Sequence, residues 1–95
     1  MIDLYVTLFR DQWTMNRTTE NYQIYKKLGL VWPGLPNERQ PIQVGSSGDD
    51  SFNVYMKRIF FSSYGNTIVE AELENAGDEF NELCRSLEAG GFTQL

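Results

Sequence analysis

The side chains in this chain that could do chemistry are few, and histidine is missing from them altogether. Without an imidazole, a serine or cysteine nucleophile lacks the base that titrates most easily near neutral pH, so acyl-transfer triads are excluded. The single thiol, Cys84, falls on one helical stripe with Phe80, Leu83 and Leu87, at i, i+3, i+4 and i+7. Burial there raises a thiol pKa and leaves it inert. One thiol and no imidazole also argue against zinc. What remains is carboxylate chemistry. Glu70, Glu72, Glu74, Asp78, Glu79 and Glu82 place six carboxylates within thirteen residues. Neither the Glu70/Glu72 pair nor Asp49-Asp50 has the spacing of a calcium loop. The GSSG stretch beginning at Gly45 lacks the lysine and following helix of a phosphate-binding loop. No catalytic residue, metal or cofactor is expected.

The charge is unevenly placed. Residues 1–69 carry six acids and seven bases, a net of +1, whereas residues 70–95 carry seven acids and only Arg85, a net of −6; together these give −5. An acidic chain lacks the lysine and arginine footprint that phosphate binding requires, so direct nucleic-acid binding is not expected. The acidic stretch suits a protein partner with a basic surface. No apolar run reaches the roughly 18 residues that span a bilayer, and the N-terminal residues lack the features of a signal peptide. One cysteine agrees with a reducing compartment. The expectation is a cytoplasmic protein that binds no membrane.

These residues need elements to position them. Residues 2–9 alternate Leu4, Val6 and Leu8 against Asp3, Tyr5 and Thr7, which predicts a strand with one buried face. Residues 18–29 show a Thr18 cap, apolar residues at near-helical spacing and Gly29 as a stop, which predicts a first helix. The three prolines between 30 and 41 predict a loop, with a short strand at 41–44. Residues 52–61 and 67–73 read as an antiparallel hairpin. A parity change within 52–61 predicts a bulge near Lys57-Arg58. Val69, Ala71 and Leu73 then face the core, leaving Glu70 and Glu72 opposite. Residues 75–90 predict a second helix, with Asn75 as N-cap, Asp78 as its capping-box partner and Gly90-Gly91 as the stop. Residues 92–95 add a possible edge strand. The expected fold is one α+β domain over 1–95, a mostly antiparallel sheet with two helices on one face in the order β-α-β-β-β-α.

Thirteen aromatics are many for 95 residues, and tyrosine and tryptophan favour interfaces because they bury large areas behind a polar tip. Trp32, Phe60 and Tyr64 have the local context that least requires burial, so they join the six carboxylates as candidate partner contacts. In overall character the chain is similar to small, acidic, histidine-free proteins encoded by phages and mobile elements, which block a larger enzyme or defence complex. It is similar also to immunity proteins that neutralise toxins. That resemblance implies a non-enzymatic, stoichiometric inhibitor; the alternative is an accessory subunit of a larger assembly, contacting through aromatic surface and a sheet edge.

Overall fold

The computed structural model describes residues 2–11, 20–30, 41–45, 51–61 and 65–95. Among these, six strands form one sheet: β1 (Ile2–Phe9), β2 (Tyr22–Leu30), β3 (Pro41–Val44), β4 (Phe52–Phe61), β5 (Thr67–Leu73) and β6 (Thr93–Gln94). A 3-10 turn (Gly77–Glu79) leads into the helix α1 (Phe80–Ala89). The strand order is β3-β4-β5-β1-β2-β6. Neighbours are antiparallel except β1 and β5, which run parallel. Because β6 is antiparallel to β2, and β2 to β1, β6 runs parallel to β5. The segment β5-α1-β6 is therefore a crossover whose two strands are separated by β1 and β2, and α1 crosses one face of the sheet to make the connection.

Two helices on one face of a mostly antiparallel sheet do not form among the described residues. There, one short helix covers a mixed sheet, and the expected first helix over 18–29 is strand β2 from Tyr22 onward. Two pressures override the helical spacing. Tyr22, Ile24 and Tyr25 favour extended backbone. In addition β1 lies inside the sheet with Leu4 1%, Val6 0% and Leu8 0% exposed, so its backbone groups need partners on both sides. β2 supplies one side, through pairs from Leu4↔Lys27 to Phe9↔Tyr22. Gly29 ends no helix. Between Ile2↔Leu30 and Leu4↔Lys27 one more residue passes on β2 than on β1, and Gly29 takes up the irregularity at φ 70° while donating its N–H to Asp3 Oδ1 at 3.0 Å.

The loop expected between residues 30 and 41 lies outside the described residues, and most of the remaining pattern holds. The β4-β5 hairpin has the expected bounds, and the bulge is at Lys57, since Met56 pairs with Ala71 and Arg58 with Glu70. Pro41–Val44 is a strand on β4, and Thr93–Gln94 is an edge strand on β2. Phe80 and Leu87 of α1 are buried, and Leu83 and Cys84 pack half-buried beside them. The expected start of α1 is corrected: a 3-10 turn precedes it, neither turn nor helix has a side-chain cap hydrogen bond, and Asn75 lies outside both. The stop works through Gly91 at φ 92°. Phe92 N–H reaches Leu87 O at 2.9 Å and Gly91 N–H reaches Glu88 O at 3.1 Å, the paired bonds of a Schellman end, with Phe92 and Leu87 buried together. Lys27 Nζ, from β2, donates to Gly90 O at 2.7 Å and so ties the helix end to the sheet.

Candidate functional site

With α1 on one face, the other face of the sheet has no helix over it among the described residues. Its side chains form rows set by strand register. One row runs Tyr55, Glu72, Thr7, Ile24, with Leu95 beside Ile24 through its N–H to Ile24 O at 2.9 Å. The next runs Arg58, Glu70, Tyr5, Lys26, Thr93. A third begins Phe60, Ile68, Asp3. The rows enclose a shallow hollow of about 670 Å³, walled by Tyr5, Thr7, Ile24 and the Phe9–Tyr22 ring pair, whose centroids are 5.2 Å apart.

Two of the six candidate carboxylates belong to this open face, and both are neutralised there. Glu70 Oε1 accepts from Arg58 Nη2 at 2.9 Å, and Glu72 Oε2 accepts from Lys57 Nζ at 3.2 Å. The bulge makes this possible: skipping Lys57 in the register sets Arg58 beside Glu70 while Lys57 still reaches Glu72. The hydrogen bond and charge of Glu70 raise the guanidinium pKa of Arg58. Arg58 also lies over the Phe60 ring, 4.9 Å from its centroid.

The other four carboxylates, Glu74, Asp78, Glu79 and Glu82, lie along the chain that leaves β5 and enters α1. All four are exposed, and none has an ion pair among the described residues. Removing the two neutralised pairs leaves a net of −4 on residues 74–95: five acids, Glu88 included, against Arg85. The chain is anchored here by backbone bonds from Ala76 N–H to Phe9 O at 2.8 Å and from Gly77 N–H to Arg10 O at 3.0 Å. Arg10 braces the same corner, donating to Glu20 O at 2.8 Å and Gly77 O at 3.3 Å and lying 5.1 Å from the Phe80 ring centroid.

Under α1, Tyr25 is buried and its hydroxyl donates to Glu88 Oε1 at 3.3 Å. Burial first, then the neighbouring Cys84 and Glu88, push its phenol well above the ordinary range. Burial likewise pushes the Cys84 thiol up, which suits a packing residue rather than a nucleophile. Among the described residues no group of three acids and thiols is placed to hold a metal ion, and no helix is long and apolar enough to cross a membrane.

Of the aromatic candidates, Phe60 is on the open face and 37% exposed, while Trp32 and Tyr64 lie outside the described residues. Tyr5, Ile24 and Lys26 on the same face were not among the sequence candidates. The alternation of Tyr22, Ile24 and Lys26 against Gln23, Tyr25 and Lys27 carried that signal, hidden by the helical reading of 18–29. No family model matches the chain, and no curated protein or solved structure is significantly similar to it.

Proposed function

We propose that this protein acts without catalysis, by stoichiometric binding of its acidic end to a basic surface on another protein, as an inhibitor of a larger, nucleic-acid-handling enzyme or complex. One observation carries the reading. Glu74, Asp78, Glu79 and Glu82 lie along the chain from the end of β5 through the 3-10 turn into the first half of α1, with no internal cation paired to them among the described residues, while Glu70 and Glu72 are held by Arg58 and Lys57. Paired carboxylates add little to a long-range field; unpaired ones attract a basic surface and speed encounter. A surface that holds nucleic acid is lined with lysine and arginine, and an acidic end can compete for it.

The test is the variant Glu74→Lys, Glu79→Lys, Glu82→Lys, used in affinity capture from the native host beside the unaltered protein. Glu72 is left in place because reversing it would strand Lys57 beside another cation. The variant is expected to fold, by circular dichroism, and to associate with the captured protein at least tenfold more slowly. Unaltered binding should weaken as salt rises from about 0.05 to 0.5 M, because the screening length falls from about 14 to about 4 Å. A folded variant that binds as fast as the unaltered protein would refute the reading. The second reading, an accessory subunit of a larger assembly, is favoured by Tyr55 at 47% and Phe60 at 37% exposure on the open face.

A further inference from the structure

The acidic end and the open face differ in charge, and the difference points to separate partners. Among the described residues of the open face three cations, Lys26, Lys57 and Arg58, meet three anions, Asp3, Glu70 and Glu72, a net of zero on a chain whose total is −5. Two copies of this chain repel at the acidic end but not here. The apolar part of the same face runs from Tyr55 and Phe60 on β4 through Tyr5 on β1 to Ile24 on β2 and Leu95 at the far rim, with Tyr55 47% and Leu95 60% exposed. Lys26 has no ion pair among the described residues.

We infer that the open face binds a second copy of this chain, sheet against sheet, about a two-fold axis lying along β1. The rows are self-complementary under that operation. β1 is the middle strand of the five from β4 to β6, so the axis reverses strand order from one copy to the other. Glu70, one strand to one side of Tyr5, then faces Lys26 of the second copy, one strand to the other side. Tyr55 at one rim faces Leu95 at the opposite rim, and Tyr5 meets its own symmetry mate, so two phenol rings fill the hollow between the sheets. Lys26 thereby gains the carboxylate it lacks, twice per dimer. Aligned sheet packing at about 30° is the ordinary geometry for two such faces. Four strands of some six residues and the two-residue β6, at about 4.8 Å between strands and about 3.3 Å per residue, give roughly 410 Å² in projection per copy. With side-chain relief this falls at the small end of specific interfaces, so the dimer is reversible and concentration-dependent. The inference does not rest on the acidic-end reading, because α1 and its carboxylates remain outside the contact.

Sedimentation velocity over about 5–300 µM protein tests it, spanning the range in which a weak interface forms. The unaltered chain is expected to pass from monomer to dimer and stop there. Lys26→Glu sets two carboxylates opposite one another and should weaken the dimer at least tenfold, as should Glu70→Lys. The double variant Lys26→Glu, Glu70→Lys should regain most of the loss. Thr7→Arg, which brings two guanidinium groups together at the axis, should abolish the dimer in a protein that melts normally. Glu70→Lys also disturbs Arg58, so if it fails to fold, Lys26→Glu and Thr7→Arg decide. A chain that stays monomeric throughout, a dimer indifferent to both of those variants, or growth beyond the dimer would each overturn the inference.

Discussion

Leu87→Ala reports most directly on how α1 is held to the sheet. The Leu87 side chain is 0% exposed, and its carbonyl accepts the Phe92 N–H that closes the helix end. Truncation removes three carbons, about 2.4 kcal/mol of transfer free energy at ~0.8 kcal/mol each. The backbone around it is pinned by that bond and by Lys27 on Gly90 O, so the cavity left behind closes little. The expected total is about 3–5 kcal/mol, the upper part of the range for a buried leucine. Leu83, one turn earlier, is only half-buried, and its truncation should cost roughly half as much. Urea unfolding followed by circular dichroism measures both, and the melting temperature of the Leu87 variant should fall by about 12 °C or more. A loss below about 1 kcal/mol for Leu87→Ala, or a larger loss for Leu83→Ala, would refute this account of the helix seat.

Gly90→Ala should destabilise by about 1–3 kcal/mol, because a Cβ there would sit 2.4 Å from the Gly45 carbonyl oxygen, and that neighbour is backbone rather than a side chain that can turn away; an unchanged urea midpoint would rule out the close approach. Alkaline pH gives a further check. Folding raises the pKa values of both Cys84 and Tyr25, chiefly through burial, so the unfolded chain loses these protons first. The stability they contribute is present in full below the unfolded values of about 8.5 and 10, and is lost as pH rises past them. Unfolding free energy should therefore decline above about pH 9, and the combined Cys84→Ser, Tyr25→Phe variant should show a shallower decline. An equal decline would place its origin in other groups.

Much of the fold was legible in short stretches. The alternation of Leu4, Val6 and Leu8 marks β1, the run of Phe80, Leu83, Cys84 and Leu87 marks α1, and the parity change across 52–61 marks the Lys57 bulge. Each is a pattern imposed by local backbone period, so it can be read without knowing what lies alongside. Residues 22–30 were not legible in this way. Their apolar spacing fits a helix nearly as well as a strand, and β1's need for a second neighbour is a long-range demand that enters only when the sheet is assembled. The candidate site divides along the same line. Composition alone determined that the chain has no histidine and that residues 70–95 carry the acidic excess. Only the tertiary structure decided that Glu70 and Glu72 are neutralised while Glu74, Asp78, Glu79 and Glu82 have no cation paired to them among the described residues. That outcome depends on a single skipped residue, Lys57, which sets the β4-β5 register and brings two cations across twelve to fifteen positions of sequence to the carboxylates they pair with.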